Sequence, residues 1–164
     1  MRPLRGFPLA LGVGTDICRI SRVHGILRGP RRERFVRRIL APEEVAAAGE
    51  RLLVPSGADG DSDGDGDEAR KTGLWKMAVF VAGRFAAKEA AFKAHAQLRR
   101  RLGWHDILIE RRRDGGRDGT SGPPVARIRA AKGEGEDESA LVSISHDGDY
   151  ATAMCIAHVG WEAD

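Results

Sequence analysis

Residues Leu74–Leu98, LWKMAVFVAGRFAAKEAAFKAHAQL, form the longest helical pattern in the chain. Apolar and small residues recur along this stretch at spacings of three and four, as they do on one face of an α-helix. These residues are Val79, Phe80, Gly83, Ala87, Ala90, Ala91 and Ala94. So many small side chains on one face indicate close packing against another element. The polar side carries Arg84, Lys88, Glu89 and Lys93.

After Gly103 the pattern changes from that of a helix to that of short strands with period two. The predicted strands are Ile107–Ile109, Pro124–Arg129, Leu141–His146 and Tyr150–Val159. Asp147-Gly148-Asp149 supplies a tight turn between the last two. One long helix followed by a strand meander predicts an α+β fold, in which a mostly antiparallel sheet packs against the long helix.

The N-terminal part supplies one strand and several short helices. Residues 9–17, LALGVGTDI, form an apolar run that predicts a strand buried on both faces, with Asp16 at its C-terminal end. Ser21 is placed to cap a helix that continues to Leu27, and a second helix is predicted from Arg31 to Leu40. Ala41-Pro42-Glu43-Glu44 has the proline and acids typical of a helix start.

The length and composition fit one globular domain, residues 1–164. The chain has 41% hydrophobic residues, and no segment approaches the roughly 18 apolar residues of a membrane span. Cys18 and Cys155 lie in apolar stretches, so we expect both to be reduced and buried. The N-terminus has two arginines and no acid before Asp16, a composition faintly similar to that of a matrix-targeting sequence.

The formal charge of +3 is unevenly distributed along the chain. Residues 28–38 contain six arginines and one glutamate, whereas six acidic residues crowd into 59–68. Without those six acids the charge is +9, so we expect an acidic partner or a substrate rich in phosphate. Residues 55–73 consist mainly of Gly, Asp and Ser and predict a disordered surface insertion. A calcium loop there is disfavoured, because Thr72 stands where the bidentate glutamate belongs.

Two carboxylates could carry chemistry, and each also has an ordinary explanation. Asp16 and Glu89 lie within otherwise apolar elements, and two such groups joined by phosphate oxygens make a suitable magnesium site. Alternatively, Glu89 pairs with Lys93 on a solvated helix face, and Asp16 is a cap or turn residue. Arg84 and Lys88 would repel each other unless an anion lies near them or water solvates both.

Two other motifs point to chemistry that the chain does not support. Gly12-Val-Gly14 resembles the start of a dinucleotide-binding loop, but Ile17 replaces its third glycine. Ser145, His146 and Asp147 are the residue types of a hydrolase triad, but consecutive residues cannot align a nucleophile, a base and an orienting acid. Neither a dinucleotide-binding enzyme nor a hydrolase is therefore expected.

Three segments together resemble the holo-acyl-carrier-protein synthases. These are Gly12-Val-Gly-Thr-Asp-Ile17, Gly83-Arg-Phe-Ala-Ala-Lys-Glu-Ala-Ala-Phe-Lys93 and Val142-Ser-Ile-Ser-His146. Their order and approximate spacing are also those of that family, and the resemblance runs from about Leu11 to Val159. The N-terminal half looks more like the eukaryotic, mitochondrial branch, which implies a mitochondrial location, with the cytoplasm as the alternative.

The resemblance implies a reaction and a set of site residues. A serine of apo acyl carrier protein attacks the pyrophosphate of coenzyme A, receives 4′-phosphopantetheine and releases adenosine 3′,5′-bisphosphate. By the family motif, Asp16 and Glu89 hold Mg²⁺, and Glu89 and Lys93 are the catalytic residues. Arg84, Lys88 and His146 match positions near coenzyme A phosphates. The group that accepts the serine proton stays open between Glu89, Lys93 and a metal-bound water.

The resemblance also implies partners. Acyl carrier proteins are acidic, and Arg22 matches a family arginine that contacts the carrier; Arg31, Arg34 and Arg38 extend that basic patch. The family further suggests a homotrimer with active sites between subunits. Two rivals remain, a nucleotide- or RNA-binding module and a domain detached from a fatty acid synthase. With only 5% aromatic residues, single-strand nucleic-acid binding is poorly supported, and we expect no nucleic-acid partner.

Overall fold

The computed structural model describes residues 8–53, 72–96, 101–111, 122–131 and 135–158. In chain order its elements begin with strand β1 (Leu11–Arg19), helices α1 (Ile20–Arg28), α2 (Arg32–Ile39) and α3 (Pro42–Ala48), and a short 3-10 turn (Gly49–Leu52). The long helix α4 (Gly73–Ala94) and strands β2 (Ile107–Arg111), β3 (Pro124–Ile128), β4 (Glu138–Asp147) and β5 (Tyr150–His158) follow.

The five strands form one antiparallel sheet in the order β1-β5-β4-β3-β2. The α+β class and the antiparallel sheet against one long helix are therefore confirmed. The β4–β5 hairpin closes through a two-residue turn, since Asp147 pairs with Tyr150. Gly148 takes a positive φ of 54° at the first turn position, as the tight hairpin turns that match strand twist require.

Helix α4 covers one face of the sheet, and its buried side consists mainly of alanines. Ala82, Ala86, Ala87, Ala90 and Ala91 are fully buried, and α4 packs against β1, β4, β5 and α1. The helix begins where Thr72 accepts a hydrogen bond from the backbone N–H of Trp75 at 3.1 Å. Thr72 and Gly73 therefore belong to the helix start rather than to the predicted insertion, whose other residues lie outside the described ranges.

Strand β1 differs from the prediction that it is buried on both faces. It is an edge strand whose only described strand neighbour is β5, and its side chains alternate between the two faces. Gly14 and Cys18 face α4 and are buried, whereas Val13 and Ile17 are 60% and 64% exposed. The apolar run is continuous because both faces carry apolar residues, although only one face is covered here. Asp16 lies within the strand, near its C-terminal end, as predicted.

Gly14 brings β1 and α4 together backbone to backbone. A Cβ atom at this position would lie 2.0 Å from the Ala90 carbonyl oxygen and 2.6 Å from the Ala94 nitrogen. Only a residue without a side chain fits so close an approach. This contact fixes where β1 crosses the last turns of α4, and so decides which side chains of the two elements meet.

The start of α1 differs from the prediction that Ser21 is its N-cap. Helix α1 begins at Ile20 after Arg19, and Ser21 lies inside its first turn. Asp149 of the β4–β5 turn accepts hydrogen bonds from the Ser21 backbone N–H and hydroxyl, both at 2.7 Å. The aspartate thus caps the helix from the hairpin, and this tie anchors α1 to the sheet beside β1.

Both cysteines are reduced and buried, as expected. Burial raises the pKa of the Cys155 thiol to about 11, which makes it a poor nucleophile at neutral pH. No described helix, α4 included, combines the length and apolar character that a membrane span requires.

Candidate active site

The first group of site residues lies where β1 crosses the C-terminal half of α4. The Lys93 Nζ atom lies 2.9 Å from the Asp16 Oδ1 atom and donates to the Thr15 carbonyl oxygen at 2.7 Å. The structure therefore brings Asp16 to Lys93, across 77 residues of sequence. Lys93 therefore pairs with a residue of β1. The alternative given above, in which Lys93 pairs with Glu89 on a solvated helix face, did not include this partner.

Glu89 lies beside the same two residues. Partial burial raises the pKa of its carboxyl group, and the negative charge of Asp16 raises it further, whereas Lys93 lowers it. Two neighbouring carboxylates repel each other, so the site favours a positive charge between them. We call Asp16, Glu89 and Lys93 the acidic half-site.

The acidic half-site fits a magnesium ion in its donor chemistry. Asp16 and Glu89 offer hard carboxylate oxygens, and Mg²⁺ is commonly held by one or two carboxylates together with substrate phosphates. Within the described ranges, no three His, Cys, Asp or Glu side chains cluster as an all-protein metal site would need. The remaining ligands would have to come from a phosphate-bearing substrate and water.

The second group of residues lines a basic cleft of about 710 Å³ beside the N-terminal half of α4. Its basic residues are Arg51, Lys76, Arg84, Arg111 and His146. Glu50 is the only carboxylate among the described residues that line it. A concave site with this excess of positive charge is suited to a phosphorylated ligand. We call these five residues the basic half-site.

Arg84 is the most unusual residue of the basic half-site. Its Nε atom is buried and has no hydrogen-bond partner among the described residues. The guanidinium carbon lies 5.0 Å from the centre of the Phe80 ring, which fixes its plane. Burial lowers the pKa of Arg84, Glu44 raises it, and the charges of Arg111 and Arg51 lower it again. A buried, incompletely paired guanidinium near two other arginines favours binding of an anion.

Lys88 does not belong to the polar side of α4, contrary to the prediction. Its side chain is completely buried, and burial lowers the pKa of its ammonium group. It donates to the carbonyl oxygens of Ile39 at 2.7 Å and Trp104 at 2.8 Å, and to the Glu44 carboxylate. These three acceptors occupy all three N–H donors of the ammonium group, so none is left for a ligand in this arrangement.

Among the described residues, the two half-sites lie on different sides of α4. Neither Asp16, Glu89 nor Lys93 is among the described residues that line the basic cleft. Arg84 and Glu89 are five positions apart on α4, which places them on different sides of the helix. His146, near the end of β4, lines the basic cleft together with Arg84. One copy therefore presents two separate parts of the predicted site.

The predicted carrier-binding arginines lie on the surface of α1 and around α2. Arg22, Arg31, Arg34 and Arg38 are all exposed. Arg31, Arg34 and Arg38 follow the three-and-four spacing of one helix face, while Val36 and Ile39 face the core. The Arg22 guanidinium stands 5.4 Å from the centre of the Phe85 ring, one helical turn before Glu89. Of these four arginines, Arg22 is thus placed near the acidic half-site.

Sequence reasoning missed three cationic residues of the basic half-site, namely Arg51, Lys76 and Arg111. They come from three elements separated in sequence, the 3-10 turn, α4 and β2. Only Lys76 had a local signal, because it lies two helical turns before Arg84. Arg51 and Arg111 reach the cleft through tertiary packing, which no spacing in the sequence indicates.

Comparison with known proteins identifies the family of the chain. The sequence profile of the 4′-phosphopantetheinyl transferase superfamily matches residues 12–155. The chain belongs to that superfamily. It is therefore a member of a family of transferases. Both half-sites lie inside the matched region.

Individual members of the phosphopantetheinyl transferase superfamily match nearly the whole chain. A mitochondrial 4′-phosphopantetheinyl transferase B of Aspergillus fumigatus is 38% identical, over 92% of this chain and 95% of its own length. A holo-[acyl-carrier-protein] synthase of Geobacillus kaustophilus is 33% identical, over 90% of this chain and 88% of its own. The family resemblance inferred from the three sequence segments is confirmed.

A solved structure supports the same assignment to the superfamily. The holo-(acyl-carrier-protein) synthase of Bacillus anthracis, crystallised in complex with CoA (3′,5′-ADP), superposes with a TM-score of 0.54 at 25% identity. The match covers 91% of this chain and 96% of that one. The fold of this phosphopantetheinyl transferase family member is thus shared across most of its length.

Proposed function

We propose that the protein transfers 4′-phosphopantetheine from coenzyme A to a serine of apo acyl carrier protein. The serine oxygen forms a bond to the pantetheine-bearing phosphorus of the pyrophosphate, and the bond from that phosphorus to the bridging oxygen breaks. Adenosine 3′,5′-bisphosphate leaves. The observation that carries the proposal is the pairing of Asp16 with Lys93 beside Glu89, together with a separate basic cleft.

Asp16 and Glu89 would hold Mg²⁺, which supplies positive charge to the pyrophosphate when bound. Lys93 is placed to stabilise negative charge on the reacting phosphate, because its ammonium group already lies at the acid pair. Glu89, with its raised pKa, is placed to accept the serine proton. Arg84 and His146 would bind coenzyme A phosphates in the basic cleft. In such reactions, positioning and electrostatics supply most of the rate.

The direct test is incubation of the protein with coenzyme A, Mg²⁺ and apo acyl carrier protein, followed by mass spectrometry of the carrier. The proposal requires a mass gain of one phosphopantetheine arm and its absence when EDTA replaces Mg²⁺. A carrier of unchanged mass, combined with tight RNA binding by the protein, would favour the nucleic-acid-binding rival. The same assay on a carrier fused within a synthase tests whether a free partner is preferred.

Arg84→Met should raise the KM for coenzyme A about 10- to 100-fold, as expected when one charge-assisted hydrogen bond to a phosphate is lost. The KM for the carrier should change little. Initial rates at varied coenzyme A concentration measure the effect. Arg101→Met is the matched control, because Arg101 is exposed on the loop before β2 and does not line the cleft. Equal effects of the two substitutions would contradict the role of Arg84.

The arginine surface of α2 would bind the acidic carrier. Arg34→Glu/Arg38→Glu should raise the KM for the carrier about tenfold or more and leave that for coenzyme A unchanged, since a reversed surface charge slows association. Added salt should weaken carrier binding more than coenzyme A binding. Kinetics at several salt concentrations, with Arg101→Glu as control, measure both. Identical salt dependence of the two substrates would count against this surface.

Separation of the half-sites supports a homotrimer in which the acidic half-site of one copy meets the basic half-site of another. The sheet face opposite α4 offers a surface for assembly. Val13 of β1 lies opposite Ile156 of β5, which in turn lies opposite Leu141 of β4, so these three side chains share one face of the sheet. Leu141 is 65% exposed and Met154 is 44% exposed on the same face. Exposed apolar patches of this kind mark interaction surfaces.

Leu141→Glu should convert the trimer to monomers and abolish transfer, because each copy would then hold two unmatched half-sites. Light scattering coupled to size-exclusion chromatography gives the mass of the assembly. Ala46→Glu, on the exposed side of α3, is the control and should leave the trimer intact. Full activity in monomeric Leu141→Glu protein would reject the shared site.

We also propose a mitochondrial location. The support is the mitochondrial name of the Aspergillus fumigatus relative. Fractionation of cells that express the tagged chain tests this, and recovery in the cytoplasm would favour the alternative.

A further inference from the structure

Lys88 and Glu44 form an ion pair in the protein interior, outside both half-sites. Their side chains are 0% and 4% exposed. Lys88 donates its three N–H groups to the Glu44 carboxylate and to the main-chain carbonyl oxygens of Ile39 and Trp104. A buried ion pair usually stabilises a protein no better than apolar residues of the same size. What distinguishes the pair from an apolar contact is therefore the directional hydrogen bonding that it provides.

Glu44 extends the pair into a network that joins several elements. Its Oε2 atom accepts from the Ala41 backbone N–H at 2.9 Å, and its Oε1 atom accepts from the Ile109 backbone N–H at 3.1 Å. The pair thus connects α4 to the end of α2, the first turn of α3, edge strand β2 and the loop before β2. Each connection uses a directional hydrogen bond, so the network defines an orientation as well as a distance.

The position of Lys88 on α4 connects this network to the reaction. Lys88 directly precedes Glu89 and follows Arg84 by four positions, about one helical turn. Gly14 contacts α4 at Ala90 and Ala94, and Lys88 lies two positions before Ala90, on the other side of the helix. The hydrogen bonds of Lys88 therefore hold the side of α4 that the contact with β1 does not. A rotation would carry Glu89 away from Asp16 and Arg84 away from the cleft.

We infer that Lys88 and Glu44 are positioning residues, which hold α4 in the one rotation that serves both half-sites. This inference rests on the proposed phosphopantetheine transfer. It gives Lys88 a different role from the one that the family resemblance implied, in which it contacts a coenzyme A phosphate. Lys88 acts through Glu89 and Arg84 and does not touch the substrate.

Three variants test the inference, namely Lys88→Met, Glu44→Gln and the two combined. Methionine keeps much of the length of lysine without its charge, and glutamine keeps the shape of glutamate. Each single change should lower kcat about 10- to 100-fold, the range typical of losing a partner that orients active-site groups. The double variant should be no slower than the slower single variant, because both changes remove the same interaction.

Two measurements separate positioning from the other roles. Rates are measured at a temperature where circular dichroism shows that each variant is fully folded. If the ion pair only stabilises the fold, kcat of the folded variants will equal the wild-type value, and the inference is overturned. The salt dependence of adenosine 3′,5′-bisphosphate binding is followed by calorimetry. Lys88→Met should keep the wild-type slope, whereas Arg84→Met should flatten it. A flattened slope in Lys88→Met would make Lys88 a phosphate ligand and also overturn the inference.

The Glu44→Gln variant makes the test independent of folding defects in Lys88→Met. If Lys88 contacted phosphate directly, Glu44→Gln would leave Lys88 free to do so and kcat would be retained. The wild type is assayed in parallel. Wild-type protein without transfer activity would reject the proposed function itself, whereas folded variants as fast as an active wild type would reject only the positioning role.

Discussion

Glu89→Gln should reduce transfer about 100-fold or more and, at the same time, stabilise the folded chain at neutral pH. The first effect has the size typical of removing a general base, which is the role proposed for Glu89. The second follows because Glu89 is partly buried beside Asp16, and both the burial and the neighbouring charge raise the pKa of its carboxyl group. Glutamine has the same shape and removes the charge that the fold disfavours.

The sign of the pH dependence follows from proton binding. Since the pKa of Glu89 is higher in the folded than in the unfolded chain, the folded state binds more protons between the two values. The free energy of unfolding therefore falls as the pH rises from the ordinary range of a glutamate through the raised pKa. Glu89→Gln removes this pH-dependent loss of stability. The gain in the free energy of unfolding relative to the wild type should therefore be fully present above the raised pKa and vanish below the ordinary pKa range of a glutamate.

Thermal unfolding in EDTA at several pH values measures the stability effect, and the carrier assay in Mg²⁺ measures the activity. Glu136→Gln is the control, because Glu136 is exposed on the loop before β4; both readouts should stay at wild-type values. A Glu89→Gln protein that is less stable at neutral pH would show that Glu89 supports the fold. Opposite changes in stability and activity are typical of an active-site residue.

Gly14→Ala should cost about 3 kcal/mol or more of the free energy of unfolding, at the upper end of the range for overpacking. The added Cβ would lie 2.0 Å from the Ala90 carbonyl oxygen and 2.8 Å from the Lys93 Cβ atom. The first of these contacts is with helix backbone, which cannot move aside as a flexible side chain does. The strand must separate from the helix, and Asp16 would then move away from Lys93 and Glu89.

Gly25→Ala is the matched control for this substitution. Gly25 lies within α1, and a Cβ atom there would meet nothing within 4 Å. Alanine is favoured over glycine inside a helix, so this change should stabilise the chain by about 0.5–1 kcal/mol. Urea unfolding of both variants gives the two values. A Gly14→Ala protein that is as stable as the wild type would contradict the close backbone contact of β1 and α4.

The order and type of most elements could be predicted from the sequence, because period-two and three-to-four patterns report directly on local geometry. The long helix, the hairpin at Asp147–Asp149 and the helix start at Pro42 all occur as expected. The main error concerns β1. A continuous apolar run indicates two apolar faces, but it does not say whether the chain itself or another molecule covers the second one.

The candidate site was less predictable than the fold. The i,i+4 spacing of Arg84 and Lys88 suggested two like charges on one surface, because the buried partner of Lys88, Glu44, lies 44 residues away in sequence. A local signal did exist. Lys88 continues the buried spacing of Val81, Ala91 and His95 along α4, so a lysine in that row indicates an internal counter-ion. The cap of α1 by Asp149 could not be foreseen, since it depends on tertiary contact.

The pairing of β1 with β5 also sets a sequence of events for the newly made chain. Leu11 pairs with His158, so the first strand finds its only described strand neighbour at the far end of the polypeptide. Contacts between such distant segments form late, because the loop that they close is long. Until β5 has been synthesised, the strand that carries Asp16 lacks this partner. The edge of the sheet that carries Asp16 is therefore the part of the sheet that we expect to form last.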